Sequence, residues 1–223
     1  MPKQKVYEIW LGALQRDDQE KVADLGSRFI VAFAHSVFCK YSKNNFPSTS
    51  VEKDRFGQVS YHRIGDAFIS NYIDKATSSV RRWIKYSRLV RADIKFLNRK
   101  GEPALKYSIY VYRTSTGPIL RKTHQITRLL DETEADLSGI LRELEHSEPW
   151  KVDPGELHEF KLAFKFTEPL TVKHRPGEHR WREVKQDNVA TANALIDSVA
   201  HIPPRLSEVF NVDISTERFL QKR

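Results

Sequence analysis

The chain has 223 residues, 39% hydrophobic and 30% charged, which suits one large globular domain able to bury its own core. A single cysteine, Cys39, excludes an intrachain disulfide framework and a cysteine-rich zinc site, and no apolar run suggests a signal peptide or a membrane span. The net charge of +8 is uneven: nine Lys or Arg face two acids between Arg81 and Lys106, and seven acids face Arg142 between Asp131 and Glu148. Such asymmetry marks either two solvated faces or a surface that steers a charged partner.

In chain order, Val6–Leu11 reads as a short edge strand. Asp17 and Asp18 then cap a helix over 18–42, whose Val22, Leu25, Phe29, Phe33 and Val37 recur at i+3 and i+4. Ile30, Val31, Ala34 and Phe38 widen that stripe until it runs nearly all round, the mark of a buried central helix. Residues 47–65 read as a loop. Asp66 caps a second helix running to about Tyr86, with Phe68, Ile69, Tyr72, Ile73, Ala76, Val80, Trp83 and Ile84 inside. Ile94–Leu97, a turn at Asn98–Gly101, and the alternating Leu105–Tyr112 make a hairpin.

Thr123–Glu145 is a third, acidic helix. His158–Thr167 alternates most clearly, with Phe160, Leu162, Phe164 and Phe166 on one face and Glu159, Lys161 and Lys165 on the other. The proline-containing tail holds a short helix at Val189–Val199 and a strand at Val209–Ile214. Segregated helices and an antiparallel sheet make the class α+β.

Catalytic patterns are missing: no glycine-rich phosphate loop and no G-x-S-x-G elbow occur. Cys39, on an apolar helix one turn after His35, reads as core filler more readily than as a nucleophile. His158, His174 and His179 match no zinc spacing. The sequence therefore predicts no catalytic residue, no metal and no cofactor.

Several strings resemble the HORMA domain family. They are Phe33-Ala34-His35-Ser36-Val37-Phe38 with Tyr41 and Asn45-Phe46-Pro47, then Asn71-Tyr72-Ile73 through Val111, with Trp83-Ile84 and the Leu97–Pro103 turn in register. Within the family the likeness is to the accessory subunits of translesion DNA polymerase and to the spindle-checkpoint adaptors. It covers 18–167 well and 168–215 loosely. The segment Lys3–Gln15 and the stretch Val189–Ala200 depart from the pattern.

The resemblance implies a single HORMA-like domain, with 18–167 as core and 168–215 as a safety belt. It implies a non-enzymatic adaptor that clamps an extended closure-motif peptide, supplied by a polymerase catalytic subunit or repair factor. Tyr72 from the second helix and Trp181 from the belt would touch that peptide. A AAA+ remodelling ATPase would reopen the clamp, and the third helix would support a homo- or hetero-dimer. The expected place is the nucleus. Two alternatives stay open. One is a bacterial HORMA sensor in the cytoplasm, regulating an anti-phage signalling nucleotidyltransferase. The other is a nucleic-acid binder using Arg81, Arg82, Lys85, Arg88 and Arg91.

Overall fold

The computed structural model describes residues 16–46, 49–86, 88–112, 123–149, 152, 155–166, 196–205 and 211–219. Helix α1 (Arg16–Asn45) opens with Asp17 and Asp18 in its first turn and buries Phe29, Phe33, Ala34, Val37 and Phe38 almost completely. It is long and apolar enough to cross a membrane, yet 78% of its apolar window is buried inside the protein. Its apolar circumference is explained by contacts on opposite sides. Phe29 meets Phe56 at 5.9 Å, whereas Phe33 meets Tyr107 of the main sheet at 6.3 Å.

Residues 47–65, expected as a loop, instead hold an antiparallel hairpin of β1 (Val51–Phe56) and β2 (Val59–Ile64). Phe56, Val59, Tyr61 and Ile64 are buried, and exposed Lys53, Arg55, Ser60 and His62 conceal that short apolar pattern in the sequence. The turn depends on Gly57, whose φ of +56° suits glycine. A Cβ at Gly57 would also stand 2.7 Å from Ser138 Oγ.

Helix α2 (Ala67–Lys85) is capped as expected, with Asp66 accepting the Ile69 N–H at 3.0 Å. Ile73, Ala76, Val80, Trp83 and Ile84 form its buried face. Phe68 departs from expectation and is 85% exposed. It lies one turn, about 6 Å, before Tyr72.

Strand β3 (Leu89–Leu97) begins five residues earlier than the sequence suggests and pairs with β4 (Pro103–Tyr112). The early part was hidden by Arg91 and Asp93, which lie on the face away from the helices and satisfy each other at 2.8 Å. Gly101, at φ +77°, closes the turn, while Asn98 Oδ1 accepts the Lys100 and Glu102 N–H groups at 2.9 Å each. Helix α3 (Thr123–His146) buries Ile126, Leu129, Leu137, Ile140, Leu141 and Leu144 as expected.

Strands β5 (Glu159–Phe166), β6 (Ile196–Arg205) and β7 (Asn211–Phe219) complete a five-stranded antiparallel sheet of order β5-β3-β4-β7-β6. The expected helix at 189–199 is corrected at its C-terminal end, where β6 begins; 189–195 lie outside the described residues. β6 carries Pro203-Pro204, a pair that suits an outermost strand, and its register with β7 shifts between Ile202 and Arg205. Val6–Leu11 also lies outside the described residues.

Candidate functional site: the outer edge of strand β5

The two sides of the sheet end differently. Beyond β4 the chain adds β7 and β6, whereas β5 pairs with β3 alone among the described strands. The Leu162 N–H points away from β3 and donates to the Tyr72 hydroxyl at 3.1 Å. Backbone direction alternates with period two, so Phe160, Phe164 and Phe166 turn their N–H and C=O groups the same way. These residues offer an added strand a row of donors and acceptors, interrupted at Leu162 by the Tyr72 hydroxyl.

Aromatic packing holds that edge in place. Phe160 meets Phe38 edge-on at 5.0 Å, lies 5.5 Å from Phe96, and meets the Tyr72 ring at 6.2 Å. Trp83 lies 5.4 Å from Phe164 and 4.7 Å from Phe166. Tyr72 approaches the start of β5 and Trp83 its end, so α2 runs in the same direction as β5. Burial raises the Tyr72 phenol above its ordinary value, opposed in part by the Leu162 N–H, so the group is a neutral hydroxyl at physiological pH.

Of the two residues expected at a peptide, Tyr72 is therefore at an open strand edge, and Trp181 lies outside the described residues. The five basic residues fall in different layers. Arg81 reaches Glu20 at 3.4 Å and Asp24 at 3.8 Å, and Lys85 pairs with Glu20, all at the contact of α1 and α2. Arg91 lies on the sheet face away from the helices, paired with Asp93 and 5.7 Å from the centre of the Tyr110 ring. Arg82 is partly buried on α2; Arg88 is exposed at the start of β3, with its backbone N–H on the Trp83 carbonyl at 2.9 Å.

The remaining candidates have structural partners. Burial, with the Glu145 carboxylate adding to it, pushes the Cys39 thiol up to about 12, so it is not a thiolate nucleophile at neutral pH. His35 is directed elsewhere: Nδ1 accepts the Ile64 N–H at 3.4 Å and Nε2 lies 3.6 Å from Asp74. Among the described residues no group of His, Cys, Asp and Glu is arranged to hold a metal; His174 and His179 lie outside them.

A cleft of about 410 Å³ between the β1–β2 hairpin and α2 contains Asp54, Arg63 and Asp74. These groups satisfy one another: Arg63 bonds Asp54 at 3.1 Å and Asp74 at 2.9 Å. Sequence reasoning missed this tether because its members lie on β1, β2 and α2, and the first two form the unrecognised hairpin.

A helical layer on one face of an antiparallel sheet, with a C-terminal pair of strands at one side and β5 outermost among the described strands at the other, is the HORMA fold. Solved structures carry that assignment. A C. elegans HTP-2 bound to an HTP-3 closure motif matches with a TM-score of 0.62 at 12% identity, covering 88% of this chain and 85% of that one.

 A C. elegans HTP-1 bound to a HIM-3 closure motif matches with a TM-score of 0.60 at 12% identity, covering 89% of this chain and 91% of that one. A chain of the mitotic checkpoint complex matches with a TM-score of 0.58 at 13% identity, covering 88% of this chain and 97% of that one. No family model matches the sequence, and no curated protein matches it.

Proposed function

We propose that this chain is a non-enzymatic HORMA adaptor that receives a partner peptide as an added strand on the free edge of β5. The observation that carries the proposal is the Leu162 N–H, which faces a tyrosine hydroxyl instead of another strand. An extended peptide gains main-chain hydrogen bonds along such an edge, and the side chains at alternate positions set selectivity. HTP-1 and HTP-2, which share the fold, are bound to closure motifs in their solved structures, which supports the same use here.

In this reading residues 18–167 are the core and 168–215 the belt that closes over the peptide, with Trp181 packing on it. Closing the belt slows release, so tightness resides in the dissociation rate. The likeness of Asn71–Val111 to the translesion-polymerase accessory branch favours a nuclear role in DNA repair. The partner is then a polymerase catalytic subunit or repair factor, and a AAA+ ATPase reopens the clamp.

The test is capture of partners from the native host, followed by hydrogen exchange on the purified complex. The Phe160 and Phe164 amides should gain protection, and Trp181→Ala should weaken binding by about 2 kcal/mol or more, as for a buried aromatic anchor. A complex that leaves both amides unprotected would overturn the edge as the site. Unchanged affinity in the Trp181 variant would remove that residue from the clamp. The identity of the captured protein separates a repair adaptor from a sensor of a signalling nucleotidyltransferase.

A further inference from the structure

The sheet face turned away from the helices carries a row of charge that runs out to the open edge. Lys161 of β5 stands directly opposite Lys95 of β3, which stands directly opposite Lys106 of β4. Like charges in directly opposite positions destabilise a sheet. At the far end the row is closed by Glu217 of β7, which faces Lys106 with 2.7 Å between the charged atoms. At the open end Lys161 reaches back along its own strand to Glu159 at 3.0 Å, and both side chains are about half exposed, at 51% and 48%.

A second row ends the same way. Lys165 stands opposite Arg91, whose charge Asp93 meets at 2.8 Å. Lys165 itself is exposed and makes no ion pair with any described residue. Between the two lysines, Ala163 leaves the face low.

The geometry points to an acidic partner strand: an extended peptide with carboxylates at two positions four residues apart and apolar side chains at the two alternating positions between them. This rests on reading the β5 edge as the peptide site. Residues opposite Lys161 and Lys165 would face away from the helices, and those opposite Leu162 and Phe164 would face α2. In an antiparallel register Lys161 and Lys165 occupy the non-hydrogen-bonded positions, where facing side chains come closest. A carboxylate opposite Lys161 would close its row as Glu217 closes the other end. Phe68, one turn before Tyr72 on α2, adds an exposed apolar side chain near the start of that helix. Lysines on an open edge also repel a second copy of the same edge, so the charge that discourages self-pairing is the charge an acidic strand relieves.

The experiment selects a displayed library of random twelve-residue peptides on the 223-residue chain and on the double variant Lys161→Glu, Lys165→Glu. Hydrogen exchange at the Phe160, Leu162 and Phe164 amides then locates the selected peptides. Expected are sequences with acids four residues apart flanking apolar residues, bound about tenfold more weakly by the double variant, a contrast that shrinks in high salt. Peptides that protect the edge without an acidic bias, or that tolerate the reversal, would overturn the acidic preference and leave the edge reading standing. No enrichment, or peptides that leave the three amides unprotected, would overturn both.

Discussion

The two sides of the main sheet solve one problem in different ways. On the β4 side, the chain's own C-terminal strands continue the ladder, and Ile214 of β7 sits beside Ile109 in the core at 1% exposure. On the β5 side, no described strand follows, and the edge is fixed from above by aromatic side chains of α1 and α2. On the β4 side the backbone ladder continues outward, whereas β5 ends its ladder at β3 and aromatic packing fixes its outer side. On the proposed reading, the outward backbone groups of Phe160, Phe164 and Phe166 are the ones a partner strand would use, with Leu162 engaged by Tyr72.

Separate anchoring predicts separable damage. Trp83→Ala removes the ring packed on Phe164 and Phe166 and should cost about 3–5 kcal/mol in denaturant unfolding. Native-state hydrogen exchange should then accelerate in β5 more than in β7. Ile214→Ala should cost about 2–5 kcal/mol with the opposite distribution. If either substitution loosens both sides equally, the two edges are not independently held.

Tyr72→Phe sharpens the contrast at a smaller scale. It keeps the ring and removes the hydroxyl that accepts the Leu162 N–H, so a loss of about 1 kcal/mol is expected. The faster exchange should be confined to Leu162 and its neighbours on β5; an unchanged Leu162 amide would show that the hydroxyl does not guard the edge.

The smallest effect concerns the tether away from both edges. Asp74 is held below its ordinary value of 3.8, first by His35 and also by the Arg63 guanidinium, with burial and Asp54 opposing. A depressed carboxylate stabilises the fold above its ordinary value, and that contribution disappears as pH falls through the lower, folded-state value. Asp74→Asn should therefore destabilise most near neutral pH, with the difference from wild type fading below about pH 4. The side chain is 40% exposed, so screening limits the effect to about 1 kcal/mol. A pH-independent difference between the two proteins would mean that Asp74 acts through shape alone.

The parts legible in the sequence were those where one local rule dominated. The all-round apolar pattern of α1, the Asp66 cap and the alternation of Phe160 to Phe166 each left a periodic signal. The β1–β2 hairpin did not, because its strands are short and its exposed positions are densely polar. Arg91 and Asp93 hid the start of β3 for a related reason: their charges are satisfied by each other and, for Asp93, by Ser108 at 2.8 Å. Tyr72 could be named from the resemblance, but its meeting with Leu162 joins residues 90 positions apart. The lysine rows were likewise invisible, since cross-strand register exists only once the strands are paired.

Pro203 and Pro204 give the far side of the sheet a different meaning. Neither residue has an N–H to offer, and both lie in the outermost described strand, β6. A sheet interrupted there is a poor template for growth in that direction, whereas β5 carries no further strand among the described residues. On the proposed reading, the sheet of described strands would take up one strand on the β5 side and be ill suited to extend on the β6 side.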